Sequence, residues 1–166
     1  MTTHGLPVFA VPMGFVIGDD EGRQLPGSCK ALIKVRAEDT NGVMAVLEET
    51  LPPHALIPPH THENDVWVYV LSGQIGVLVG EEIAVASAGR WALKPRSVMH
   101  AMWNAESEPA RVMEVLTPAG TERWFEEVTQ LADDDDEGFQ DACRRYGITF
   151  ILDSPWADVI RERFGL

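Results

Sequence analysis

His60 and His62 stand one residue apart in the stretch PPHTHENDVWVYVLSG, directly after Pro58 and Pro59. Residues two apart on an extended strand point to the same face. The two prolines favour such an extended backbone. Both imidazoles can therefore aim at one point, and imidazole is a common ligand for Zn, Fe, Ni and Cu. Taken alone, the pair reads as two loop histidines in solvent. A third histidine, His100, follows in the run SVMHAMWN, at the mouth of another strand-like segment. The chain shows no Ser-His-Asp order, no glycine loop fit to cradle phosphate and no Cys-x-x-Cys pair, so no other reaction class has a positive signal.

The elements that must carry these residues are strands. The expected strands are Cys29–Val35, Gly42–Thr50, Trp67–Leu71, Ile75–Val79, Glu82–Ala86, Arg90–Lys94, Ala101–Trp103 and Ala110–Leu116. Ser72-Gly73-Gln74 and Gly80-Glu81 read as hairpin turns between neighbours. Short strands at about ten-residue spacing with turn signals between them predict an all-β sandwich or barrel. Helices are expected only at the end. The first spans Thr121–Leu131, with Trp124, Val128 and Leu131 on one face, and the second Phe139–Tyr146, closed by Gly147. The third spans Pro155–Phe164, with Ser154 as its N-cap. Ile148–Leu152 reads as a short strand or extended segment. The 166 residues suit one domain: an N-terminal arm (1–27), a β-barrel (28–120) and a C-terminal helical appendage (121–166) packing on the barrel.

The formal net charge is −13, and a surface this acidic repels nucleic acid and anionic membranes. Part of the charge lies in one run, Asp133–Glu137, which reads as a solvated loop between two helices. Two isolated cysteines, Cys29 and Cys143, form no disulfide framework, which places the expected home in a reducing cytoplasm. No signal peptide or membrane-spanning segment is expected.

The histidines and their flanks resemble the cupin superfamily. Its first motif is G-x5-H-x-H-x(3,4)-E-x6-G and its second G-x5-P-x-G-x2-H-x3-N. Gly89, Pro95, His100 and Asn104 match the second, with Ser97 in place of its central glycine. His60, His62 and Gly73 match the first, with His54 in place of the leading glycine and Val66 in place of the glutamate. The resemblance covers roughly residues 42–120. The tail, with Leu116–Gly120, ERWFEEV and YGITFILDSPW, is similar to single-domain cupins of the quercetin 2,3-dioxygenase-like group. The resemblance implies a double-stranded β-helix, or jelly roll, with a metal inside the barrel near one end. It implies His60, His62 and His100 as ligands of one divalent transition metal (Zn, Fe, Ni, Cu, Co or Mn). It further implies a homodimer and a small enolic, phenolic or organic-acid ligand or substrate, with or without O2.

Val66 cannot coordinate anything. Three neutral imidazoles would leave the metal its full charge, make a bound water more acidic and favour nitrogen-loving metals over Mn. Several residues are candidates to replace the glutamate. Glu63 and Asp65 lie in the same loop, Asp65 needing a bulge to turn inward. Glu114 lies among apolar residues and reads as either an exposed or an inward-facing carboxylate. His54 reads as a spare imidazole or a residue of the barrel rim. Val66 itself fits equally a site without metal, as one more inward residue beside Val68 and Val70. Trp67, Trp91 and Trp103 are expected either to line an apolar pocket or to pack in the core or an interface. Met99 and Met102 read as barrel filling. In quercetinase-like relatives the glutamate doubles as a base, so its loss bears directly on flavonol dioxygenation. Two functional readings result: a mononuclear-metal, dioxygenase-like oxidoreductase, and a non-catalytic module that binds a small molecule or metal.

Overall fold

Apolar and polar residues alternate along most of residues 45–117, and the computed structural model turns that alternation into two antiparallel sheets. The structure describes residues 16–25, 30–132 and 134–166. The strands are β1 (Arg23–Leu25), β2 (Lys30–Val35), β3 (Ala45–Leu51), β4 (Leu56–Thr61), β5 (Asp65–Ser72), β6 (Gln74–Val79), β7 (Glu82–Ser87), β8 (Trp91–Lys94), β9 (His100–Trp103), β10 (Ala110–Thr117) and β11 (Thr149–Phe150). One sheet has the order β1-β2-β3-β10-β5-β8 and the other β11-β4-β9-β6-β7. This is a double-stranded β-helix, the jelly roll that the cupin resemblance implies. Of the expected arm, Arg23–Leu25 pairs with β2, and residues 1–15 and 26–27 lie outside the described residues, as does Cys29.

The inward faces meet in one core that includes Leu47, Leu51, Val68, Val70, Ile75 and Met102. A second, smaller cluster lies on the outer face of the five-stranded sheet. Leu78, Ala101 and Trp103 pack there against Ile160 of the helix α3 (Trp156–Phe164), below α1 (Glu122–Val128) and α2 (Asp136–Arg145) in chain order only. Ala101 and Met102 are neighbours on β9 and so point to opposite faces, which is why one strand serves both clusters. Gly76 sits opposite Trp103 in the β6–β9 register, and a Cβ there would overlap the indole ring.

Three expectations need correction. β4 is a paired strand where Pro58 and Pro59 were expected only to favour an extended backbone, and it includes both prolines. Their missing N–H groups break its ladder with β9, and the register shifts between Ile57 and His60. The shift changes the face that the strand presents, so Ile57 and His60, three residues apart, both look inward. The acidic run is not merely a loop: the Asp135 side chain accepts from the Gly138 N–H at 2.9 Å, with Asp136 and Glu137 in the first turn of α2. Carboxylates there complement the helix dipole. Finally, the two alternatives for Trp67, Trp91 and Trp103 separate: none of the three lines the cavity at the histidines. Trp103 is buried beneath α3, and Trp67 and Trp91 are exposed on the six-stranded sheet.

Candidate metal centre

Two neighbouring strands bring the three histidines together. His60 lies on β4 directly opposite His100, the first residue of β9. His62 follows β4 by one residue. A backbone bond from the Ser97 N–H to the His62 carbonyl, 2.8 Å, ties the loop before β9 to the end of β4. The motif departures fall on strained turns in these connections. His54 and Ser97 adopt φ of 59° and 60°, the left-handed region where glycine is the easy choice. The backbone shape therefore persists without the glycine. Asn104 closes the second connection, its amide donating to the carbonyls of Leu51, Pro52 and Glu108.

Each imidazole is oriented by a carbonyl two residues away. Nδ1 of His60 lies 2.8 Å from the Pro58 oxygen, Nδ1 of His62 2.7 Å from Asn64 and Nδ1 of His100 2.8 Å from Val98. A carbonyl only accepts, so each Nδ1 must carry the proton and each Nε2 presents a lone pair. The Nε2 atoms of His60 and His100 are 3.1 Å apart. Nε2 of His62 is buried without a hydrogen-bond partner among the described residues. One ligand atom from each of the three residues lies within 4.8 Å of the others.

Protonation does not relieve this crowding. Burial, followed by the nearby Lys94 charge, pushes His60 down to about 3. Burial, followed by His60 itself, pushes His100 down to about 2. His62 is lowered too, again chiefly by burial. Three inward lone pairs with no proton between them suit a cation. Nitrogens bound at about 2.0–2.1 Å in a tetrahedral site stand roughly 3–3.4 Å apart, which matches the His60–His100 spacing. The residues present thus fit a divalent metal.

His60 and His62 open onto a cavity of about 80 Å³, with His100 buried behind them. One side is apolar and aromatic, with Ile57, Trp124, Phe125, Ile148 and Phe150. The other side comes from the six-stranded sheet and carries Glu49, Lys94 and Glu114 beside Val66. The Lys94 ammonium donates to Glu114 Oε1 at 2.6 Å, and both side chains are about 5% exposed.

The candidates for the missing glutamate now separate. Val66 is buried on the cavity wall and offers no ligand. Glu114 does face inward, with Val112 and Leu116, but it is paired with Lys94. Asp65 points away and grips Arg96 through its backbone N–H (2.9 Å) and its guanidinium (2.8 Å). Glu63 and His54 are exposed. Among the described residues, no carboxylate joins the three histidines. Lys94, Glu49 and the C-terminal aromatics were not singled out from sequence. Glu49 shares strand parity with Leu47 and Leu51, which is the signal that marks it as inward.

Residues 47–126 match the Cupin_2 family, described as a cupin domain. This segment is a cupin domain. The fold agrees with that of solved cupin relatives at low identity. The polyketide cyclase RemF from Streptomyces resistomycificus aligns with a TM-score of 0.56 at 18% identity, over 63% of this chain and 80% of its own. KdgF from Halomonas aligns with a TM-score of 0.58 at 18% identity, over 66% of this chain and 98% of its own. A predicted oxalate decarboxylase from Thermotoga maritima gives 0.52 at 17% identity, over 55% of this chain and 82% of its own. Such identities speak for the cupin fold alone. No curated protein matches the chain. Among the described residues, no helix is long and apolar enough to cross a membrane.

Proposed function

We propose that this cupin is a mononuclear-metal enzyme of the dioxygenase-like kind that acts on a small enolic or organic-acid substrate. His60, His62 and His100 hold the metal. One observation carries the reading: three buried imidazoles, each fixed with its proton on Nδ1, aim their lone pairs at one another. Stability alone gives no reason to bury such a set. When bound, a divalent metal supplies Lewis acidity and a template for oxygen ligands.

The protein's own residues decide what reaches that point. The apolar wall of Trp124, Phe125 and Phe150 excludes bulk water. The cavity falls well short of the roughly 300–1,000 Å³ that drug-sized ligands occupy, which favours a small organic acid over a three-ring flavonol. The absence of a glutamate at position 66 also removes the base that flavonol dioxygenation uses in the group whose tail this chain resembles.

Elemental analysis of the purified protein, followed by reconstitution with Zn, Fe, Ni, Cu, Co and Mn, tests the metal. Equimolar metal that is lost in His100→Ala is the expected result, and a folded wild-type protein that takes up none of the six ends the reading. Oxygen uptake and product formation across a panel of small enols and hydroxy acids test the chemistry. Saturable binding without product would favour the non-catalytic module instead.

A further inference from the structure

Lys94, Glu114 and Glu49 are charged residue types on an otherwise apolar inner face. Lys94 is opposite Val66 in the β5–β8 register, and Glu114 is opposite Val68 in the β10–β5 register. The ion pair therefore reaches across β5, over two valines. Small side chains beneath it leave the room. Glu49 is opposite Val112 on the next strand and completes the same wall.

This wall has unused hydrogen-bonding capacity. An ammonium has three donors, and the described residues take one of Lys94's, through Glu114. Glu49 is 3% exposed and makes no side-chain hydrogen bond or ion pair among the described residues. A buried donor without a partner is costly. Burial, reinforced by the Glu114 charge, raises Glu49 to about 8, so its carboxyl keeps its proton at neutral pH and can donate. Lys94 and Glu114 cancel each other's charge. The cavity thus offers several N–H and O–H donors and no net negative charge, in a chain whose formal charge is −13. A buried ion pair is in itself no source of stability, since apolar residues of similar volume often serve as well or better. Its place on the cavity wall facing the histidines gives it another use.

We infer that Lys94 and Glu49 form an oxygen-binding subsite for a small carboxylate with a neighbouring oxygen, a 2-hydroxy or 2-keto acid, whose other oxygen faces the three histidines. Glu114 is a positioning residue that holds the ammonium against the wall. The inference rests on the metal-centre reading above and adds the substrate class to it. The cavity volume, about 80 Å³, suits the shortest such acids.

The test uses zinc-loaded protein, with glycolate as the probe and ethylene glycol as its uncharged counterpart, followed by calorimetry. Metal content is measured on every sample. Wild-type protein is expected to bind glycolate saturably and ethylene glycol far more weakly. Lys94→Met is expected to lose about 10- to 100-fold in glycolate affinity with its zinc retained. Because that variant strands Glu114, the double variant Lys94→Met/Glu114→Leu, which replaces the pair with apolar groups, serves as the folded control and is expected to lose affinity equally. Glu49→Gln, which keeps a donor, is expected to bind better than Glu49→Leu. Zinc-loaded wild type that ignores glycolate, or a folded, zinc-loaded double variant that binds it as tightly as wild type, overturns the subsite and leaves the metal centre standing. Wild type that takes up no zinc or other metal overturns both.

Discussion

The two polar clusters in this barrel face each other across one cavity and are satisfied to different degrees. On the five-stranded side, three imidazoles spend their only protons on backbone carbonyls and present bare lone pairs to one another. On the six-stranded side, Lys94 and Glu114 already complete each other at 2.6 Å. The first cluster is an unfinished coordination sphere. The second is a neutral unit with donors to spare. A low dielectric penalises each in its own way. It keeps the imidazoles neutral, and so ready to bind metal, and it keeps Glu49 protonated, and so ready to donate. In many cupins, by the motif above, a glutamate on β5 would belong to the first cluster. Here Val66 has taken that position, and the carboxylate on the neighbouring strand belongs to the lysine.

The strongest way to break this contrast is to remove one half of the neutral unit. Glu114→Ala leaves the Lys94 charge buried and unpaired, which is expected to cost about 3–5 kcal/mol in a denaturant titration. The double variant Lys94→Met/Glu114→Leu should recover most of that loss. If Glu114→Ala unfolds at the wild-type midpoint, the pair is not buried as described. Next in size, His100→Ala should weaken metal binding by at least about 100-fold, more than the loss of an orienting partner alone, as read by competition with a chelator. An unchanged chelator midpoint would mean that the ion sits elsewhere.

Acid and base should then separate the two clusters in the metal-free protein. The histidines have folded values depressed from 6.5, to about 3 for His60 and about 2 for His100. Their contribution is therefore full above pH 6.5 and lost as pH falls towards those values. Glu49 runs the other way, raised from 4.5 to about 8. Its contribution is full below pH 4.5 and fades as pH rises to about 8. Unfolding free energies measured across this range should show Glu49→Gln gaining about 1–3 kcal/mol on wild type between pH 5 and 8. Parallel curves for the two proteins would contradict a buried, protonated Glu49. The smallest effect sharpens the contrast. Val66→Glu places a carboxylate beside the histidines and should raise metal affinity by about tenfold, measured by the same chelator competition. A fall in affinity would show that the new carboxylate is captured by Lys94.

The strands were legible because their signals are local. β6 and β7, with Gly80-Glu81 between them, and the polar loop from Asn104 to Pro109 can be read directly from residue type, and the ends of these two strands differ from those expected by at most one residue. β4 escaped because its prolines argue against a ladder, and its pairing to β9 and β11 is a property of the neighbours. Of the site, His60, His62 and His100 could be read from spacing and family resemblance. Glu114 could not be placed. In ARVMEVLT it shares parity with Ala110, Val112 and Leu116, but the other parity carries Met113 and Val115, so neither face is clearly the apolar one. Glu48 and Glu49 are adjacent, and a strand can turn only one of them inward.

The amino-acid order alone determined the all-β class, the turn positions and the His60/His62 pair, because each depends on residues close together in the chain, and the resemblance added His100. Tertiary structure alone decided that Glu114 and Lys94 share the cavity, and that Trp124, Phe125 and Phe150 close it rather than Trp67, Trp91 or Trp103. The physical reason is that strand parity names two faces without saying which is inside. Only pairing with neighbouring strands and the packing of the last 45 or so residues on the barrel break that symmetry.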